Sequence, residues 1–157
     1  MSLSSSMENE YFSEEEYREF FHKKGLCGLA NLGNSCFMNS IVQCLNNNRD
    51  FALHFISQEY LKDLNKDKID YNLAEQWNLL TNGLYHRNCV VTPTSFHKCV
   101  QVLALNKGLG HFSGFGQNDS QEFLQFFLET LHNVHLLFFE YILAYSQLQF
   151  DVILHLL

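Results

Sequence analysis

The chain has 157 residues, enough for one domain with one core. A formal net charge of −7 makes nucleic acid and anionic membrane poor partners and a basic protein surface a better one. Five cysteines, an odd number with no C-x-x-C pair, argue against a disulfide framework or a zinc site and for a reducing compartment. Eight histidines fall into no H-E-x-x-H or similar spacing, so neither a metal nor any other cofactor is expected.

Aromatic residues make up 15% of the chain and proline occurs once, a composition rich in core formers and poor in disorder signals. Residues 1–6 are small and polar and an acidic stretch follows them, so no secretory signal is read and a cytoplasmic or nuclear location is expected. Residues 1–9 read as disordered. Residues 10–24 place Glu14, Glu15, Glu16 and Glu19 before His22, Lys23 and Lys24, which suits a short helix with Tyr17, Phe20 and Phe21 as a weak apolar side. Residues 1–24 are thus expected to form a flexible acidic arm, either a docking element or a solvated leading helix.

Residues 28–45, GLANLGNSCFMNSIVQCL, read as a polar glycine-bearing loop running into an apolar helix with Cys36 in its first turn. Asn34 or Ser35 can cap that helix through a side-chain oxygen. Phe37, Ile41, Cys44 and Leu45 recur at helical spacing beside Met38 and Val42, which predicts burial. A thiol at a helix N-terminus meets the positive end of the dipole, which favours the nucleophilic thiolate. Gly33 permits a bend that could fold the Asn31 amide back toward the sulfur, where a donor would serve an oxyanion. Cys36 is otherwise a small core residue, since free cysteine is often buried.

Beyond this helix, Asn46-Asn47-Asn48 ends the turn, and residues 49–64 read as a second helix with Phe51, Phe55, Leu61 and Leu64 on it. After a loop at 65–68, residues 71–85 show a third pattern with Leu73, Trp77, Leu80 and Leu84 on one side. Val90-Val91 reads as a short extended link. Thr92-Pro93 opens another helix, with Thr92 as cap and Pro93 at the first position, carrying Phe96, Val100, Leu103 and Ala104. Residues 106–116 hold four glycines and read as a mobile loop containing Gly110-His111-Phe112. In QNDSQEFL, residues 117–124, Asp119 and Glu122 form a capping-box arrangement, and Phe123, Phe127, Leu131 and Val134 follow at helical spacing. This last helix is expected to pack on the Cys36 helix. Residues 136–157 are apolar, but Glu140, Gln147, Gln149, Asp151 and His155 interrupt them too often for a membrane span.

Residues 28–45 resemble the Cys box of the ubiquitin-specific proteases, papain-like cysteine proteases that cleave after the C-terminal glycine of ubiquitin. Residues 117–124 resemble the acidic box that follows it in that family. The likeness covers residues 25–134 and implies a mainly α chain, the helical thumb-like half of a papain-like α+β protease with palm and fingers absent. It implies Cys36 as the nucleophile, Asn31 as the oxyanion-hole donor, and Gln117 and Asp119 as the grip on the ubiquitin tail. Ubiquitin or ubiquitinated proteins are the partners it implies.

The family's general base is a histidine in a Gly-His-Tyr or Gly-His-Phe setting well after the acidic box. Gly110-His111-Phe112 copies the tripeptide but precedes that box, and reads as a coincidence. His132 and His135, three apart on the last helix, read as surface or core-edge residues. The chain is therefore expected to be inactive or nearly so by itself, as a truncated deubiquitinase fragment. The alternative is a non-catalytic ubiquitin-binding or helical interaction module. Half a fold leaves apolar surface uncovered, so self-association through the 136–157 tail or marginal stability is expected.

Overall fold

The computed structural model describes residues 14–134 apart from 115. The expectations for residues 1–13, for His135 and for the 136–157 tail lie outside the described residues. The described part is mainly helical, in the order α1 (Glu14–Phe21), β1 (Gly28–Leu29), α2 (Cys36–Asn47), α3 (Arg49–Ile56), α4 (Tyr71–His86), β2 (Val90–Val91), α5 (Thr94–Asn106) and α6 (Ser120–His132), with 3-10 turns at Glu59–Lys62 and Gly110–Ser113. Among the described residues no helix is long and apolar enough to cross a membrane.

The core is an aromatic stack centred on Trp77 of α4. Its indole lies 4.9 Å from the ring of Phe127, 5.5 Å from Phe51, 5.9 Å from Phe96 and 6.3 Å from Phe55. The predicted stripe of α4 (Leu73, Trp77, Leu80, Leu84) is buried throughout, as are Phe96, Val100, Leu103 and Ala104 of α5 and Phe123, Phe127, Leu131 and Val134 at the end of the chain's described part. Helices α3, α4, α5 and α6 thus meet on one centre, because each carries apolar residues at helical spacing and can bury them only against the others.

Several local expectations give way to neighbouring geometry. Phe21 is buried and packs edge-on to Tyr85 at 5.3 Å, and Asn88 Nδ2 donates to Lys23 O, so the end of the acidic arm is docked on the helical unit. The expected boundary between residues 24 and 25 falls inside packed structure. The helix expected over residues 49–64 stops at Ile56, where Gln58 takes φ +64°, and resumes as a 3-10 turn that buries Tyr60. Asn48, read as a stop, also starts α3: its Oδ1 accepts from Phe51 N at 3.1 Å. Pro93, not Thr92, holds the N-cap position of α5, one residue later than expected, and no side chain caps that helix. Within the loop expected to be mobile, Phe112 is 1% exposed and Gln101 Nε2 donates to Ser113 O, so this part of it is packed on the helices. Cys44 is exposed and Leu45 half-buried, so α2 buries the stripe of Phe37, Met38, Ile41 and Val42 instead.

His97 is buried on α5, and burial holds its pKa below the ordinary value of 6.5. The unfolded chain takes up this proton near pH 6.5 and the folded chain only at lower pH, so stability falls as pH drops below 6.5. His97→Gln should therefore lose less stability than the parent between pH 7.5 and 5.5, read from urea midpoints at the two pH values; an equal loss would remove His97 as a cause.

Candidate active site

Strand β1 pairs in parallel with β2, Gly28 opposite Val90 and Leu29 opposite Val91, and this two-residue ladder fixes the start of the loop that leads to Cys36. Two side chains of α2 hold the same strand from the other direction. Asn39 Nδ2 donates to Ala30 O at 3.2 Å, and Gln43 Nε2 donates to Cys27 O at 2.8 Å. Spaced four apart, they lie one above the other on the helix. The loop from Asn31 to Ser35 is therefore clamped at its root by the helix it leads into. Gly33 with φ +89° and Asn34 with φ +52° make the bend, where glycine and asparagine carry the least strain.

Cys36 is the first residue of α2 and is exposed, so the reading of it as a core residue does not hold. Among the described residues none hydrogen-bonds its sulfur. Ser35 occupies the N-cap position but makes no side-chain cap bond, contrary to the expected cap by Asn34 or Ser35. Its hydroxyl is turned into the loop, accepting from Leu32 N at 3.0 Å and donating to Asn31 Oδ1 at 3.0 Å. Asn31 folds back over the bend as expected, but the contact is with Ser35, the residue before the sulfur. Its Oδ1 also accepts from Gly33 N and Ser35 N, each at 3.1 Å.

Asp119 caps α6 as predicted: its Oδ1 accepts from Gln121 N at 2.7 Å and Glu122 N at 3.0 Å. Only that oxygen serves the cap. Gln117 and Asp119 are both exposed. The reciprocal half of the capping box does not form, because Glu122 Oε1 lies 3.1 Å from His111 Nε2. Phe37, next to Cys36, stacks on Phe112 at 5.8 Å and meets Phe123 edge-on at 5.5 Å. The first turns of α2 and α6 therefore pack on each other, as the expected pairing of the two helices requires, and the two boxes share one region of the fold. His111 sits beside them through its ring contact with Phe112, 4.1 Å between centroids, with its Nε2 committed to Glu122. His132 is exposed at the end of α6. Among the described residues no group of histidine, cysteine and carboxylate side chains could hold a metal ion.

Two parts of this arrangement escape the sequence reading. Asn39 and Gln43 look like polar breaks in an apolar helix; their i, i+4 spacing is the signal that both face one neighbour. Ser35 looks like a cap, and only the partner geometry shows that it serves Asn31.

A mainly helical unit with an exposed cysteine at a helix start, a clamped loop bearing a carboxamide, and a capped acidic helix packed alongside defines a class of thiol-bearing domain. The family model described as "Ubiquitin carboxyl-terminal hydrolase" matches residues 27–139, and the chain belongs to that family. It is 41% identical over 113 residues to ubiquitin carboxyl-terminal hydrolase 2 of Bos taurus, covering 70% of this chain and 18% of that protein. It is 40% identical over 112 residues to ubiquitin carboxyl-terminal hydrolase 4 of Mus musculus, covering 69% of this chain and 11% of that protein. The chain thus spans less than a fifth of the length of these curated relatives. Among solved structures it is similar to the SAGA DUB module Ubp8/Sgf11/Sus1/Sgf73 bound to monoubiquitin, with TM-score 0.54 and 28% identity over 71% of this chain and 25% of that one. The same module bound to ubiquitin aldehyde matches with TM-score 0.54 and 30% identity, over 71% of this chain and 24% of that one.

Proposed function

We propose that this chain is the nucleophile-bearing part of a deubiquitinating thiol hydrolase, and that its partner is ubiquitin or a ubiquitinated protein. The observation that carries this reading is the exposed Cys36 at the first position of α2, with Asn31 bonded to the residue before it. Cys36 would attack the carbonyl after the ubiquitin terminus, and the Asn31 carboxamide would donate to the oxygen that gains charge. Gln117 and Asp119 would hold the extended tail, whose backbone amides need acceptors and whose carbonyls need donors. Among the described residues no histidine bonds Cys36, and we expect slow or absent turnover from this chain by itself.

The tail-binding part is tested by separating the two jobs of Asp119. Asp119→Ala removes both cap and grip, and should cost about 1 kcal/mol of stability as well as ubiquitin affinity. Asp119→Asn keeps a capping oxygen but loses the charge; it should keep the stability, measured by urea unfolding, and weaken ubiquitin binding, measured by titration. Full ubiquitin affinity in Asp119→Asn and Asp119→Ala would leave Asp119 as a cap alone.

A further inference from the structure

We propose that Ser35 is a positioning residue that fixes which end of the Asn31 carboxamide faces outward. The inference rests on the reading of Cys36 and Asn31 given above and adds a residue to it. An asparagine side chain has a carbonyl oxygen at one end and an NH₂ at the other, nearly the same shape and opposite in hydrogen-bonding sense. Only the NH₂ end can steady an oxyanion, so a carboxamide free to flip would present the wrong end for part of the time.

The bonds around Asn31 forbid the flip. The amides of Gly33 and Ser35 can only donate, and both reach the same Asn31 atom at 3.1 Å. The Ser35 hydroxyl supplies the third bond, and its direction is itself fixed. It accepts from Leu32 N, a group that can only donate, so its own proton is directed to Asn31 at 3.0 Å. Three donors on one atom make that atom the oxygen, and the NH₂ is left as the outward end. Ser35 is 1% exposed, so water does not compete for its hydroxyl.

The hydroxyl does this in place of its ordinary task. A serine at an N-cap normally accepts from the first-turn amides; here α2 begins with no side-chain cap at all. A favourable local interaction is given up one residue before the candidate nucleophile. Such departures from local rules mark functional positions more than structural ones.

The test compares ubiquitin with ubiquitin aldehyde. The Cys36 thiol adds across the aldehyde C=O: a bond forms from sulfur to carbon, the carbonyl π pair moves to oxygen, and that oxygen takes the thiol proton, with no oxidant or reductant involved. The tetrahedral oxygen meets the Asn31 NH₂, whereas plain ubiquitin makes no such oxygen. The carbon–sulfur bond is common to every variant that keeps Cys36, so the change in the ratio of the two affinities from one variant to another reads the donor. Ser35→Ala should lower this ratio about fivefold, the worth of one hydrogen bond, with plain-ubiquitin affinity unchanged. In an Asn31→Ala background Ser35→Ala should have no further effect on the ratio, and Ser35→Thr, which keeps a hydroxyl, should restore most of it. Asn31→Asp keeps an oxygen for all three donors but has no NH₂, and should fold and lower the preference at least as far as Ser35→Ala, even if Ser35→Ala proves unstable. An unchanged ratio in Ser35→Ala, an equal loss with Asn31 already removed, or an undiminished ratio in Asn31→Asp overturns the inference. No preference for the aldehyde in the parent chain overturns the thiol-hydrolase reading itself, and this inference with it.

Discussion

Ubiquitin carrying a C-terminal electrophile should form a covalent adduct with this chain at Cys36 alone, and Cys36→Ala should abolish it. The other four cysteines provide the internal control, because they differ from Cys36 in access or in setting. Cys27 is buried, with its sulfur donating to Arg87 O at 2.9 Å, so it is both covered and engaged. Cys99 is half-buried, and desolvation together with the nearby Asp70 charge raises its pKa to about 11, which leaves little thiolate at neutral pH. Cys89 is half-buried at the foot of β2. Cys44 is the demanding control, since it too is exposed and lies on the same helix, in its last turn. A simple thiol reagent should label Cys44 and Cys36 together. The ubiquitin-borne electrophile should separate them, because only Cys36 stands beside Asn31 and near the start of α6. Mass spectrometry of the digested adduct reads the outcome. An adduct on Cys44, or one that survives Cys36→Ala, would mean that exposure alone governs labelling and that no ubiquitin-directed site exists.

How far the sequence anticipates this arrangement depends on the range of the interaction concerned. Periodicity locates α2, α4, α5 and α6, because each must bury a stripe and the stripe is written in its own residues. The Asp119 cap is legible for the same reason: donor and acceptor lie within three residues of each other. Failures occur where a distant partner decides. Glu122 leaves the capping box because His111, eleven residues earlier, offers it an imidazole at 3.1 Å. The loop at 106–116 is rich in glycine and reads as loose, yet Phe112 is drawn into the stack between Phe37 and Phe126. Ser35 abandons its cap for Asn31, an exchange that depends on the bend at Gly33 and Asn34 and on the helix clamp by Asn39 and Gln43. Cys36 and Asn31 are proposed as a pair because a thiol and an amide donor stand across one bend and because the stretch resembles the family's Cys box. Which end of the amide faces outward is not recognisable, since the two ends differ only in what surrounds them.

The largest loss of stability should come from Trp77→Ala. Trp77 is 0% exposed and touches aromatic rings from α3, α5 and α6, so its removal opens a cavity that four helices would have to collapse to fill. Truncations of this kind cost about 3–5 kcal/mol, a large part of the stability of a domain this size. The parent chain cannot be compared with it by tryptophan fluorescence, as Trp77 is the single tryptophan, so helical circular dichroism during urea unfolding is the measurement. Trp77→Phe sharpens the argument. Among the described residues the indole Nε1 is buried with no hydrogen-bond partner, a desolvation cost of about 1–3 kcal/mol that the native side chain carries. Phenylalanine gives up volume but removes that orphan donor, so the two effects oppose each other. Trp77→Phe should lose less than about half of what Trp77→Ala loses. If the two variants were equally destabilised, the cost would lie in the shape of the indole and not in the filling of the centre where α3, α4, α5 and α6 meet.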